Sequence, residues 1–450
     1  MTEFNLPPGP SAPRAVQGAY ALAFSNRGMR RMHERYGDAF TVNVPILGRN
    51  VVISRPDEVK QLFLTSPDLV GTPAANLGRV LGPSSLFALN GDEHRRRRKL
   101  LTPPFHGRRL AAYERIVEEE TAREVAAWPH GRPFATMPSM MRITLNVILR
   151  AVFGAEGEEF TTLRDKMPKG IILGSRLAVM PVPQVDWGQR SPWGRFWALR
   201  REYDAIVDRL IAKAAADPDL DGRDDILALM MQSRYEDGSP MTRDDIADTL
   251  ITVLAAGHET TATTMAWAVE RLRRHPEVLA GLVEEVDAGE STLREATILE
   301  VMRTRSVIDF VGRQVRADSL QLGRWIVPRG YGVLVSIRLL HEDEAVFPNA
   351  AAFDPSRFLH AKPDLYQWIP FGGGTRRCIG GAFATMEMNV ILRTILGMVT
   401  LLPTTERDER WHSRGIAEAP AKGGRAVVHR RSSPLGRLTA PARQSTETGR

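Results

Sequence analysis

The chain has 450 residues, of which 43% are hydrophobic and 25% charged, and its mean hydropathy is −0.22. This composition is typical of a globular protein and excludes a disordered or fibrous chain. The net charge is +7, but the last 21 residues contain five Arg and one Glu and so account for +4 of it. Because the rest of the chain is only weakly basic, the net charge is a poor argument for nucleic-acid binding.

The predicted elements begin with a small β region. Two β-branched runs, at 39–45 and 50–54, are separated by turn residues, which predicts an antiparallel pair of strands. Pro56 then opens a helix. From about residue 110 to 300 the hydrophobic pattern is overwhelmingly helical. Helices are expected at 110–128, 141–152, 192–216, 224–232 and 242–275.

The last of these helices is the longest. Thr242 and Asp245 are spaced as an N-terminal capping pair, and Pro276 ends the segment. A helix of this length, about 50 Å, usually crosses the core of a large domain. After Arg305 the sequence changes to short strands, and a helical pattern returns at 381–399. The sequence therefore predicts a mainly α fold with a small β-rich subregion.

No linker of convincing length divides the chain, so a single folded domain is expected over residues 30–428. Residues 1–29 form a lead segment, and 429–450 form a basic tail that is predicted to be disordered. The chain has one cysteine, no signal-peptide pattern and no apolar run that approaches the roughly 20 residues of a membrane span. A cytoplasmic protein without an integral membrane segment is expected.

The strongest chemical signal surrounds the single cysteine, in the segment Phe371-Gly-Gly-Gly-Thr-Arg-Arg-Cys378-Ile-Gly380. The glycines permit a tight loop, and a cysteine beside two arginines at a helix N-terminus is expected to be a thiolate with a lowered pKa. A thiolate can attack an electrophile or bind a metal. A buried structural cysteine is the simplest alternative, and the Lys-Ser/Thr of a phosphate-binding loop is missing.

A second pattern lies midway along the long helix, at Ala256-Gly257-His258-Glu259-Thr260-Thr261. An acid beside a hydroxyl in an apolar helix is costly to bury without a polar partner. A short polar stretch exposed to solvent, or a capping position, would also explain this pattern. The start of a zinc motif, H-E-x-x-H, is not completed because residue 262 is Ala.

Two charged patterns remain. Glu300 and Arg303 have the spacing of an i,i+3 ion pair, which is common on exposed helix faces. Seven cations and no acid lie between Arg95 and Arg109, directly after His94. Such runs are usually solvated, but the Leu and Pro residues that follow favour a packed helix.

Together these motifs resemble those of the cytochromes P450, of the soluble, ferredoxin-dependent type found in bacteria such as actinobacteria. The cysteine segment matches the haem-binding loop F-x-x-G-x-R-x-C-x-G at every fixed position. The resemblance implies that Cys378 is the axial thiolate on the iron of haem b and that Phe371 packs near its sulfur. It also implies that Arg376 meets a propionate and that Gly380 lets the haem approach the next helix.

The same resemblance assigns the other motifs. Ala256 and Gly257 would open space for oxygen, while Glu259 and Thr260 would relay protons to it. The remaining propionate contacts are assigned to three basic residues: His94, Arg98 and Arg313. A buried cluster that holds the fold is assigned to three charged residues: Glu300, Arg303 and Arg357.

The function implied is a haem-thiolate monooxygenase that hydroxylates an apolar small molecule, such as a lipid, steroid or terpenoid, with O2. The chain shows no flavin or nicotinamide fingerprint, so electrons are expected from NAD(P)H through ferredoxin reductase and ferredoxin. The other cations of the basic run would face an acidic ferredoxin. The pocket is expected to be lined by residues 71–87, 171–185, 250–256 and 307–311, which are mostly apolar.

One departure concerns the loop after Arg303, which lacks the proline that the family often carries there. Three alternatives to the monooxygenase also remain. They are a haem-thiolate enzyme that uses peroxide or rearranges its substrate, a non-catalytic haem sensor or carrier, and a basic nucleic-acid binder. The third depends mainly on the basic tail, and no nucleic-acid partner is expected.

Overall fold

The structure, a computed structural model, describes residues 4–431 apart from 24, 46, 74–76, 108, 155–156 and 180–183. The helices are α1 Arg14–Ala23, α2 Ser25–Tyr36, α3 Pro56–Leu64, α4 Leu77–Leu81, α5 Gly91–Leu101, α6 Arg109–Ala126, α7 Met137–Phe153, α8 Glu158–Val179, α9 Pro192–Ala215, α10 Ile226–Gln232, α11 Arg243–Leu272, α12 Pro276–Ala288, α13 Thr292–Thr304, α14 Ile337–His341 and α15 Gly381–Met398. The strands are β1 Ala39–Val44, β2 Gly48–Ile53, β3 Val70–Gly71, β4 Phe134–Ala135, β5 Phe310–Val315, β6 Ser319–Leu322, β7 Trp325–Pro328, β8 Gly332–Ser336, β9 Val399–Leu401, β10 Trp411–Ser413, β11 Glu418–Pro420, β12 Arg425–Ala426 and β13 Val428–Arg430.

The long helix α11 organises the helical part, as its sequence predicts. Thr242 accepts a hydrogen bond from the Asp245 N–H, and the Asp245 carboxylate accepts one from the Thr242 N–H, which completes a capping box. Most of α11 is buried on every side, and it packs against α7, α13 and α15. Trp267 is fully buried and donates its indole N–H to the Glu418 carbonyl. The helix therefore crosses the core.

The β-rich subregion is a five-stranded sheet with the order β1-β2-β8-β5-β3. The predicted hairpin is confirmed, because β1 and β2 pair antiparallel from Ala39–Ile53 to Val44–Gly48. Strand β8 is parallel to β2 and antiparallel to β5. A second apolar cluster lies between this sheet and α3, and the β5 strand carries Arg313 towards the helical part.

The charged cluster assigned to Glu300, Arg303 and Arg357 is present and buried. The Arg303 guanidinium lies 2.6 Å from the Glu300 carboxylate, and Nε of Arg357 lies 3.7 Å from it. Arg303 also donates to the carbonyls of His341 and Ala350. Because these bonds join α13 to the segment after α14, the cluster stabilises the connection and is not an exposed helix face.

Both ends of the described part of the chain contact the domain. The Thr41 N–H donates to the Pro8 carbonyl, so the lead segment lies against the edge strand β1. The predicted disordered tail begins at residue 429, but β13 pairs with β9, and the Arg430 guanidinium donates to the Ala126 carbonyl. The chain is thus ordered to Arg431, because backbone pairing and this cation hold it. The rest of the predicted tail lies outside the described residues.

Candidate active site

A cavity of about 1110 Å³ lies between α11, α5, α8 and the loop that precedes α15. All four segments predicted to line a pocket contribute to its wall, within the limits of the described residues. Representative side chains are Leu81, Ile171, Val253, Val311 and Phe196. The loop after Arg303 lies on the wall through Val307 and Ile308 despite its missing proline. The wall is mainly apolar and suits a hydrophobic ligand.

The cysteine loop closes tightly at one end of this cavity. The Cys378 N–H donates to the Phe371 carbonyl at 2.9 Å, which folds the eight residues back on themselves. Gly374 has φ +64°, and a Cβ there would overlap the Phe63 carbonyl of α3. The loop therefore needs glycine to pack on α3. Gly380 then begins α15 at the N-cap position.

The Cys378 side chain is surrounded by protein, but its surface is open because it borders the cavity. The expectation of a lowered pKa is wrong for the free thiol. Burial raises the pKa of Cys378, while the Gly380 N–H and the cations of Arg98 and Arg377 act in the opposite direction without reversing it. Desolvation dominates, so burial favours the thiol, and a cation bound to the sulfur would favour the thiolate.

Four basic side chains converge on the same cavity: His94, Arg98, Arg313 and Arg376. Burial lowers the pKa of Arg313 and of Arg376 to about 10, and burial together with the nearby guanidiniums lowers the pKa of His94 to about 4. Within the described part of the chain, no carboxylate forms an ion pair with any of the four. With that pKa His94 is neutral at pH 7, so the three arginines carry the charge of this group. Because cations partly removed from solvent are costly without a partner, the arrangement suits an anion.

Backbone carbonyls orient two of these cations. Arg376 donates to the carbonyls of Leu86 and Leu89 and to Oδ1 of Asn90, and Arg313 donates to the carbonyl of Gly373 in the cysteine loop. Carbonyls fix the direction of a guanidinium but do not neutralise it. The charge of these groups remains available to a ligand.

The other cations of α5 are arranged differently from the basic surface that the sequence suggests. Each has a carboxylate partner: Arg95 with Asp92, Arg96 with Asp237, Arg97 with Asp245 and Lys99 with Glu236. The loop before α11 supplies Glu236 and Asp237, and the first turn of α11 supplies Asp245. Sequence inspection did not pair them because the acids lie about 140 residues away along the chain. Arg108 and the side chain of Arg109 lie outside the described residues.

The motif in the middle of α11 faces the cavity. Ala256, Gly257, Glu259 and Thr260 all contribute to its wall. The Thr260 hydroxyl donates to the Ala256 carbonyl at 2.8 Å. The Glu259 carboxylate is buried and lies 2.7 Å from Nε of Arg414. Among the described residues, no hydrogen bond joins Thr260 to the Glu259 carboxylate, so the two groups of the expected relay lie side by side but unconnected.

The comparisons with known proteins agree with this arrangement. The family model for "Cytochrome P450" matches residues 7–416. A Mycobacterium tuberculosis protein named as cytochrome P450 138 is 54% identical over 427 residues, which cover 95% of this chain and 97% of that one. The chain belongs to the cytochrome P450 family. Another M. tuberculosis relative, named as cytochrome P450 135B1, is 38% identical and covers 95% of this chain and 92% of that one.

Solved P450 structures share the fold. The retinoic acid-bound cyanobacterial CYP120A1 aligns with a TM-score of 0.85 at 20% identity, over 96% of this chain and 100% of that one. The haem domain of a protein named cytochrome P450DA aligns with a TM-score of 0.83 at 22% identity, over 95% of this chain and 98% of that one. In the described part of this P450, no helix has the length and apolarity needed to cross a membrane.

This P450 is a haem-dependent monooxygenase, and its own residues fit the cofactor. Haem carries two propionates, and four basic groups without carboxylate partners face the cavity. The same cavity exposes the only sulfur of the loop. A Cβ built on Gly380 would meet no protein atom within 4 Å, so the protein's own packing does not require glycine there. A large planar group against α15 would explain that glycine.

Gly257 has a different environment. A Cβ built there would lie 3.4 Å from Cδ1 of Ile148 on α7, an ordinary van der Waals contact, so the packing of α11 on α7 does not by itself require glycine. Two residues that sequence inspection missed complete the site: Asn90, which accepts from Arg376 and Thr72, and Arg414. Neither belongs to a short motif. Only the folded chain brings Asn90 to the cavity wall and Arg414 to Glu259.

Proposed function

We propose that the Cys378 sulfur ligates the haem iron and that the enzyme hydroxylates an apolar small molecule of lipid, steroid or terpenoid type. The observation that carries this proposal is the position of the Cys378 thiol and four unpaired basic groups on one cavity whose remaining wall is mainly apolar. A thiol, an anion site and an apolar chamber together serve a haem-thiolate oxygenase.

The residues around the cofactor have separate tasks in this proposal. The propionates are held by His94, Arg98, Arg313 and Arg376, through charge-assisted hydrogen bonds. Phe371 closes the loop through its carbonyl, and its ring lies next to Gly381 at the start of α15. Gly380 leaves room for the porphyrin. Haem bound in this way supplies the activation of O2, and the protein supplies position and protons.

Proton supply is assigned to Thr260 and Glu259. Thr260 has its hydroxyl at the cavity wall, where it can rotate from the Ala256 carbonyl and donate to a bound ligand. Glu259 is the neighbouring acid on the same wall and can replace the proton that Thr260 gives. Ala256 and Gly257 leave the space for oxygen.

The substrate assignment follows from the chemistry of the wall. Apolar surface is presented by Phe196, Trp197, Ile308, Phe310 and Ile416. Two cations on the wall are ion-paired: Lys166 with Glu202, and Arg200 with Asp204 and Asp248. Because these cations are neutralised, a substrate without charge is favoured over an acid. Titrating the enzyme with neutral steroids, terpenes and long-chain alcohols, and following the haem spin state, tests this assignment. Tighter binding of small polar compounds would contradict it.

For electron supply we propose ferredoxin and ferredoxin reductase with NAD(P)H, in the cytoplasm. Arg377 lies beside Cys378 in the ligand loop and is exposed, which suits an acidic donor. Arg96 and Lys99 contribute less, since each is paired with a carboxylate.

Replacing Thr260 tests the proton-supply assignment. We expect Thr260→Ala to keep haem but to lower the product formed per NAD(P)H by about tenfold or more, because general acid catalysis contributes on that scale. The lost electrons should appear as hydrogen peroxide. Thr263→Ala is the matched control, since the Thr263 hydroxyl makes the same bond to the carbonyl four residues before it, that of Glu259, but is buried away from the cavity. Unchanged coupling in Thr260→Ala, or full turnover with peroxide alone, would favour the peroxide-using alternative.

A further inference from the structure

The segment 305–309 joins α13 to β5 and forms part of the wall of the substrate chamber. Val307 and Ile308 lie on that wall. The segment contains no proline, so no ring restricts its backbone, and contacts with the rest of the fold must hold it in place. These contacts are made by Arg305 and Asp309, which do not themselves line the chamber.

Ion pairs fix the two ends of this segment. The Arg305 guanidinium lies 2.8 Å from the carboxylate of Asp408. The Asp309 carboxylate lies 2.5 Å from the guanidinium of Arg338 on α14, and the Asp309 carbonyl accepts a hydrogen bond from the Ile337 N–H. The first and last residues of the segment are therefore held from outside the chamber.

Both guanidiniums also lie against the ring of Trp411, the first residue of β10. Cζ of Arg338 is 3.8 Å from the centroid of that ring, and Cζ of Arg305 is 5.6 Å from it. The side chains of Arg338 and Arg305 are only 8% and 15% exposed, and a cation is attracted to the face of tryptophan most strongly where water is excluded. The Trp411 ring packs in turn on the buried Trp267 of α11, with 4.7 Å between the ring centroids. Trp411 therefore links α11, α14 and the end of α13.

Trp411 also belongs to the hairpin that forms the neighbouring part of the wall. Strands β10 and β11 pair antiparallel, and the turn between them places Ile416 and Ala417 on the wall. The Glu418 N–H of β11 donates to the Val307 carbonyl at 2.9 Å. This hydrogen bond and the Trp411 ring join the two wall segments to each other.

We propose that Trp411, held by Arg305 and Arg338, is a positioning residue that sets the specificity of the chamber. Its ring keeps the two wall segments in one position. With the ring removed, the segments can take several positions, and only a fraction of the molecules presents the wall that a large ligand contacts. The apparent affinity for such a ligand falls with that fraction, whereas a ligand too small to reach the wall binds as before. This inference rests on the haem-containing substrate chamber proposed above.

The test measures the dissociation constants of two ligands of haem iron, from the shift of the Soret band, in four holoenzymes: wild type, Trp411→Leu, Trp411→Phe and Arg324→Gln. Imidazole is too small to reach the wall, whereas clotrimazole is an imidazole with three aromatic rings that extend into the space around the iron. In Trp411→Leu we expect the affinity for clotrimazole to fall by about tenfold and the affinity for imidazole to stay the same, since a desolvated contact between a cation and tryptophan shifts a population on that scale. A loss of stability alone would not separate the two ligands.

Two of the variants are controls. Trp411→Phe keeps an aromatic face for the guanidiniums and should retain most of the affinity for clotrimazole. Arg324→Gln removes a contact of the same kind elsewhere, because the Arg324 guanidinium lies 4.3 Å from the centroid of the Trp325 ring in the turn between β6 and β7, outside the chamber wall. This variant should bind both ligands as wild type does.

The outcomes separate the two proposals. Wild-type affinity for clotrimazole in Trp411→Leu, or an equal fall for both ligands, would overturn the role of Trp411 alone. No Soret shift with imidazole in the wild type would overturn the proposed haem site and the inference with it. If Trp411→Leu fails to fold, Arg338→Lys decides, because lysine can still pair with Asp309 but cannot lie flat on the ring. A fall in the affinity for clotrimazole alone supports the proposal, and wild-type affinities for both ligands overturn it.

Discussion

The two faces of α5 carry the same kind of residue in opposite electrostatic settings. On the outer face, Arg96 and Lys99 each have a carboxylate partner, at 2.6 and 2.7 Å. On the inner face, His94 and Arg98 line the cavity, and in the described chain neither has one. The charges of the outer face are already neutralised within the protein. The inner face is complete only with an anion, because a buried cation without a partner is costly.

The contrast shows what a map of partners adds to a count of charges. By resemblance, the sequence assigns His94 and Arg98 to the cofactor and the other cations of the run to an acidic docking surface. The fold adds that Arg95, Arg96, Arg97 and Lys99 are each paired with a carboxylate. We therefore expect the basic side chains without carboxylate partners to mark the position of the ligand.

The largest effect should come from breaking the inner face. We expect the double variant Arg98→Gln/Arg376→Gln to lose about 3–6 kcal/mol of haem affinity, because each charged hydrogen-bonding group contributes about 1.5–3 kcal/mol. Transfer of haem to apomyoglobin measures this loss. Arg96→Gln, on the outer face of the same helix, is the control and should retain haem as wild type does. Equal loss in both variants would contradict the distinction between the faces.

A smaller effect should appear as acid sensitivity. Burial lowers the pKa of His258 to about 4 and of His341 to about 3. Both stay neutral in the folded protein, whereas the unfolded chain binds their protons near pH 6.5. Stability should therefore fall as the pH is lowered from about 6.5 towards 4, by at most about 3 kcal/mol for His258.

The measurement is Tm against pH for the wild-type holoenzyme and for His258→Gln. The variant should show a shallower fall between pH 6.5 and 4, since glutamine can still donate to the Met141 carbonyl but binds no proton. His360→Gln, at an exposed histidine, should leave the slope as it is. Parallel curves of Tm against pH for His258→Gln and the wild type would refute the lowered pKa of His258.

The smallest effect should come from breaking the outer face. The side chains of Arg96 and Asp237 are about half exposed, so their ion pair should contribute no more than about 0–1 kcal/mol. Asp237→Asn should accordingly change the free energy of unfolding little, and less still in high salt. It should, however, leave the exposed Arg96 cation without its carboxylate partner and speed reduction by an acidic ferredoxin at low salt. Slower reduction would indicate that the donor does not approach this face.

The sequence predicted the elements well because their signals are local. The capping pair Thr242–Asp245, the strand pair at 39–54 and the loop ending at Cys378 all depend on neighbouring residues, and all are present. The segments of the cavity wall were also predicted, since apolar stretches flank each motif.

What the sequence could not supply are partnerships across the fold. Arg414 meets Glu259 over 155 residues, and Arg96 meets Asp237 over 141. The free-thiol pKa of Cys378 was mispredicted for the same reason. Adjacent arginines are visible in the sequence, but burial depends on the packing of distant segments and outweighs them.

The central claim is that the Cys378 sulfur binds the haem iron. The most direct test is the difference spectrum of the reduced holoenzyme with and without carbon monoxide. The account predicts the strongly red-shifted Soret band of a thiolate-ligated haem in the wild type, and loss of that band in Cys378→Ala. An unshifted, globin-like Soret band in folded wild-type protein would contradict it.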